Sequence, residues 1–194
     1  MPTSSAKYTP SPLYNPTIHI TSHNASGQAM LQSSKKVQAT AYPEHNFQAT
    51  LFYTTSEMPA DLNDEADIKL HDGVVSNGSL GVVKKNGTVC RIADFAPRST
   101  GVMHRTQSLD YGIVLEGNIV LELDDGSSTP MSRGDVAIQR GTMHAWRNSN
   151  QTEWARVLFV MQDCKPLTIN GNRLKEDLGH ASSTLPSSGN DDVE

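Results

Sequence analysis

Along the middle of the chain apolar and polar residues alternate with a period of two, and no long helical stripe interrupts the alternation. Thr17 to Thr21, Gln48 to Tyr53, Tyr111 to Leu115, Asn118 to Leu123, Val136 to Gln139 and Ala155 to Met161 read as short strands. Asp125-Gly126 then turns the chain back through Met131. Ser79 to Lys85 and Thr88 to Phe95 flank Asn86-Gly87, a dipeptide that accepts the positive φ angles of a tight turn, so these two stretches are expected to pair as a hairpin. Ser56 to His71 is polar and acidic, contains Pro59, and is expected to connect strands with a short helical turn at most. A late helix is expected at Asn172 to Leu178, with Asn172 as cap and Gly179 as stop. Short strands at even spacing, without intervening helices, predict an all-β sandwich or jelly-roll barrel.

Composition narrows the boundaries and the partners. The 194 residues suit one domain. Residues 1–15 and 181–194 are rich in Pro, Ser and Thr, bury little, and are expected to be disordered extensions around a barrel at 16–165 and a C-terminal segment at 166–180. A formal net charge of -5 argues against nucleic acid and anionic membrane as partners. No apolar run reaches the length of a membrane span and Met1 to Pro10 lacks a leader pattern, so a cytoplasmic protein is expected. Cys90 and Cys164 lie far apart, form no CxxC pair, and read as free thiols.

Candidate chemistry concentrates in two segments. The first runs from His104 through Thr106, Asp110 and Tyr111 to Gly117, and the second from Gly134 through Gln139, Arg140, Gly141 and His144 to Trp146 and Asn148. Together they resemble the two motifs of the cupin superfamily, G(x)5HxH(x)3-4E(x)6G and G(x)5PxG(x)2H(x)3N. His104 stands at the first His, Asp110 at the Glu, His144 at the second-motif His, and Gly117, Gly134, Gly141 and Asn148 at their positions. Thr106 replaces the second His, and the second motif is one residue short, with Gln139 near the place of the Pro.

The resemblance implies a single cupin jelly-roll barrel holding a divalent metal ion (Fe, Mn, Zn or Ni) through His104, Asp110 and His144. Two imidazoles and a carboxylate with open positions suit such ions. Thr106, Tyr111 and Arg140 are the expected catalytic neighbours, with Trp146 on the same side of its strand as His144. His19, His23, His45, His71 and His180 fall outside the motifs and are expected to be exposed. The wording of the motifs is similar to that of small fungal cupin-domain oxidoreductases from polyketide gene clusters, which implies a small polyketide-like or aromatic substrate and a homodimer. A redox-neutral decarboxylase, isomerase or dehydratase and a non-catalytic binding cupin are the alternatives.

Overall fold

The computed structural model describes residues 8–78 and 80–190. The chain runs β1 (Thr17–His23), β2 (Ala29–Lys36), β3 (Thr40–Tyr42), β4 (Phe47–Thr55), α1 (Ala66–Asn77), β5 (Thr88–Phe95), β6 (Ser108–Glu116) and β7 (Asn118–Leu123). It continues through β8 (Ser128–Ser132), β9 (Val136–Arg140), β10 (His144–Arg147), β11 (Ala155–Asp163), β12 (Leu167–Ile169) and β13 (Asn172–Leu174). A six-stranded antiparallel sheet, ordered β3-β4-β5-β11-β6-β9, faces a three-stranded sheet ordered β10-β7-β8. Ala93, Phe95, Val114, Ala155 and Val157 of the larger sheet meet Ile119, Met131 and Trp146 of the smaller one in a shared core. This is the expected jelly roll, mostly β with the one α-helix α1 among the described residues. No helix among the described residues is long and apolar enough to cross a membrane.

Alternation fixes which side chains reach the interior. Along β6 the buried positions are Ser108, Asp110, Gly112 and Val114, and the residues between them face outward. Gly112 lies beneath the aromatic core, where an added Cβ would sit 3.1 Å from the Trp146 ring and 3.3 Å from Phe159. Gly117 turns β6 into β7 at φ +68°, and a Cβ there would come within 2.5 Å of the Trp154 carbonyl oxygen. Only glycine takes that corner without strain.

Four expectations need correction. Ser56 to His71 is not a bare connection: a 12-residue helix, α1, begins at Ala66. Its inward positions are held by polar contacts, with Tyr53 Oη donating to Asp67 Oδ2 at 2.6 Å and the Thr54 N–H donating to His71 Nδ1 at 3.2 Å. His71 is therefore buried rather than exposed. The turn at Asn86-Gly87 forms, with φ +58° at Asn86, but residues 80–85 make no strand. Both edges of β5 are already taken by β4 and β11, so the preceding segment has no edge to pair with.

Asn172 to Leu178 is not helical either, because Asn170 and Gly171 take φ +50° and +78° and close a hairpin between β12 and β13. A 3-10 turn, Gly179–Ser183, follows. The described parts of both end segments make specific contacts. Tyr14 O accepts from Arg156 Nη1 at 2.6 Å, and Asn190 is buried against Gln107. The expected disorder of residues 1–7 and 191–194 concerns positions outside the described residues.

Candidate functional site

Two histidines from separate motifs form the centre of the interior. His104 and His144 exchange backbone hydrogen bonds, N–H to carbonyl at 2.9 Å in each direction, as an isolated antiparallel pair. This pairing brings their rings to a centroid distance of 4.4 Å at 44°. Each Nδ1 sits against a backbone carbonyl two residues earlier, Val102 O at 2.9 Å for His104 and Thr142 O at 3.0 Å for His144. A carbonyl oxygen only accepts, so each Nδ1 carries the hydrogen and each Nε2 keeps its lone pair. Burial pulls both imidazoles below their usual pKa, His144 to about 3, where the neighbouring His104 adds to the effect. Both rings are neutral at pH 7.

Gln139, which stands near the motif's missing Pro, has a positioning role that the sequence did not show. It is buried, and its Nε2 donates to the Thr142 carbonyl at 2.8 Å and also meets the Thr142 hydroxyl. That carbonyl is the acceptor that orients His144. Asn148 is fully buried and staples its own loop, donating to Phe95 O at 3.0 Å and Glu153 O at 2.8 Å.

Asp110 and Thr106 line the same cavity as the histidines. Asp110 Oδ1 is buried and has no hydrogen-bond partner among the described residues. Burial pushes the carboxyl up to about 7, although a hydrogen bond from Ser108 and the charge of Arg91 oppose the rise. The Thr106 hydroxyl is bonded to Ser108 Oγ at 2.7 Å. Among the described residues, no three of His, Cys, Asp and Glu stand as a group able to hold a metal ion.

The cavity has a volume of about 110 Å³. Its remaining wall is mainly apolar and aromatic, including Phe47, Phe95, Trp146, Phe159 and Met161. Trp146 and Phe159 meet edge to face at 5.2 Å, and Phe47 and Phe95 stack at 6.0 Å. Trp146 thus lies on the His144 side, as strand alternation predicts.

Tyr111 and Arg140 do not reach this cavity, which corrects their expected catalytic role. Asp110 points inward, so Tyr111, the next residue on β6, points out and is 40% exposed. In β9 Gln139 pairs with Asp110 and is buried, leaving Arg140 exposed beside Leu109. Arg91 is the residue that sequence reasoning missed. It enters from β5, outside both motifs, half-buried, with its Nε enclosed by protein and its side chain on the cavity wall.

No protein-family model matches the chain. Curated relatives do. It is 41% identical over 165 residues to phomopsin biosynthesis cluster protein D of Diaporthe leptostromiformis, covering 84% of this chain and 86% of that one. It is 39% identical to the cupin-domain-containing oxidoreductase virC of Hypocrea virens, over 83% of each chain. Oryzines biosynthesis cluster protein J of Aspergillus oryzae is 36% identical over 84% of this chain and 93% of its own. Among solved structures, the cupin-2 domain Rru_A2000 of Rhodospirillum rubrum has a TM-score of 0.46 at 13% identity, covering 74% of this chain and 75% of that one. The motif glycines, the paired histidines inside a jelly roll and the identity to these relatives have one common reading: the chain belongs to the family of cupin-domain-containing oxidoreductases found in fungal biosynthesis clusters.

Proposed function

We propose that the protein is a metal-dependent oxidoreductase that tailors a small, partly aromatic metabolite in a biosynthesis cluster. The observation that carries this reading is the state of the histidine pair: both rings are locked by carbonyls in the tautomer that leaves Nε2 free to bind a metal. The orphaned Asp110 oxygen on the same cavity wall fits a third donor. The three donors do not converge as they stand, so binding requires the Asp110 side chain to turn toward the pair. When bound, a redox-active divalent ion would relay electrons from the substrate to O2, the oxidant, and would offer an open position for a substrate oxygen or O2. The chain's own residues do the rest. Phe47, Phe95, Trp146 and Phe159 exclude water and hold an apolar ring, while Gln139 keeps the Thr142 carbonyl in place for His144.

Metal analysis of the purified protein tests this. About one redox-active ion per chain is expected, with most of it lost in His104→Ala and in His144→Ala while the far-UV spectrum is retained. Full metal content in both variants, or zinc alone in the wild type, overturns the reading.

For assembly we propose a homodimer. Edge strand β9 presents Val136 and Ile138, 54% and 52% exposed, beside Tyr111 of β6, and pairing would cover both the apolar side chains and the free strand edge. Light scattering at micromolar concentration is expected to give twice the chain mass, and Ile138→Lys to halve it. A monomeric wild type overturns the proposal.

A further inference from the structure

Two arginines of the larger sheet differ in their environments, Arg156 being buried and Arg91 half-buried with its Nε enclosed. Arg156 is saturated: its Nε and Nη2 donate to Asp94 Oδ1 and Oδ2 at 2.6 and 2.7 Å, and its Nη1 donates to the Tyr14 carbonyl at 2.6 Å. This is a bidentate guanidinium–carboxylate pair completed by a backbone acceptor. Arg91 has no such partner set. Among the described residues only its Nη2 is engaged, by the carbonyls of Gly81 at 3.0 Å and Val82 at 3.1 Å. Its Nε is buried without an acceptor among the described residues.

The ion pairs among the described residues join Glu44 to His45, Glu122 to Arg147 and Asp94 to Arg156, so none involves Arg91. Burial pulls its guanidinium below the usual value, while Tyr42 and Asp110 favour the charge from a distance. A guanidinium remains protonated under such conditions. A buried donor without an acceptor is unfavourable, because it has lost its hydrogen bonds to water without replacement. That cost has an explanation where the acceptor arrives with a ligand.

The position of Arg91 supports that explanation. It lies opposite Leu51 of β4 and Phe159 of β11 and faces the interior. It lines both the 110 Å³ cavity of the histidine pair and an adjoining cavity of about 660 Å³ that extends under α1 and the β1–β2 hairpin. Tyr42 and Ala49 line both cavities as well. Arg91 therefore stands where the two spaces meet, within reach of a molecule in either, and among the described residues no lysine lines the smaller cavity.

We propose that Arg91 is the specificity-determining residue of this cavity and selects a carboxylate on an otherwise apolar, ring-bearing small molecule. The guanidinium fork supplies the donors that the acid lacks, and the aromatic wall takes the ring. The neutral histidines provide no competing positive charge. The inference rests on the cavity being the substrate site, but it does not require the metal.

The test is calorimetric titration of the full-length protein with benzoate and with benzamide, at pH 7 in the presence of a metal chelator. Benzoate is expected to bind at least about tenfold tighter than its neutral isostere. Arg91→Met should bring the ratio close to one while leaving benzamide affinity unchanged, and Arg91→Lys should retain part of the preference. Equal affinity of the wild type for the two probes overturns the proposal, and that measurement stands even if a variant fails to fold. An unchanged ratio in folded Arg91→Met also overturns it. Because the chelator removes any bound ion, a failed metal reading leaves the benzoate preference intact. Loss of the preference with normal metal content sinks only the role of Arg91.

Discussion

Asp110 illustrates how one buried carboxyl couples the site to stability. Its folded pKa is raised to about 7. A raised pKa contributes stability that is fully present below the unfolded carboxyl value and is lost as pH rises through the folded value. In the metal-free protein, ionisation of Asp110 therefore destabilises the fold between about pH 4 and pH 7, by an amount on the order of 4 kcal/mol. Asp110→Asn is expected to stabilise the metal-free protein at pH 8, to leave it near wild type at pH 4, and to abolish metal retention. Denaturant unfolding at the two pH values checks this, and an equal loss of stability at both would refute it. The motif spacing made the shared cavity of His104, Asp110 and His144 legible, because the cupin pattern picks out inward-facing positions on neighbouring strands. Tyr111 and Arg140 were misplaced because motif proximity says nothing about parity: one residue along a strand moves a side chain to the other face. Arg91 was illegible because no motif covers β5, and its inward parity follows only from pairing with β4 and β11.

At the scale of elements, the strands with clean alternation were read correctly, and the errors fall where local signals were overridden or masked. The helix α1 packs through Asp67 and His71 as well as Ile68 and Val74, so its inward stripe is half polar and resembles a loop in sequence. Its docking carries a pH dependence. Burial lowers the His71 pKa, with Lys35 acting in the same direction and Asp72 and Asp67 opposing it, and its Nδ1 must stay unprotonated to accept from the Thr54 N–H. A depressed histidine pKa gives stability that is present above about pH 6.5 and lost as pH falls through the folded value. His71→Asn, which can still accept from Thr54, is expected to flatten the fall in unfolding midpoint between pH 8 and pH 5. It will not remove that fall, since His104 and His144 are depressed too. Superimposable pH profiles for the two proteins would show that His71 does not titrate against the fold.

The whole molecule was legible as a jelly roll because strand alternation, turn residues and the two motifs agree on one architecture. The behaviour of its C-terminal end was not legible, because a Ser-, Pro- and Gly-rich stretch looks disordered until its contacts are seen. Beyond the 3-10 turn Gly179–Ser183, the chain crosses back over the cavities: Thr184 and Pro186 line the larger one and Leu185 the smaller one. Ser188 Oγ then accepts from the Val83 N–H at 3.0 Å, and Asn190 Nδ2 donates to the Gln107 carbonyl at 2.9 Å and to Asp163 Oδ1 at 2.6 Å. Gln107 Nε2 returns a bond to the Asn190 carbonyl at 2.9 Å. These are polar partners of buried groups, so removing them strands donors that the rest of the fold does not satisfy. One stranded buried donor costs about 1–3 kcal/mol, and a chain of this size loses roughly 2–4 °C in midpoint per kcal/mol. Deletion of residues 184–194 is therefore expected to lower the thermal midpoint by on the order of 5 °C or more and to open the histidine cavity, read as faster tryptophan quenching by acrylamide at Trp146. Asn190→Ala should give a smaller fall without the quenching change, because it leaves Leu185 in place. A deletion variant with wild-type midpoint and quenching would mean that the segment lies on the cavity without closing it.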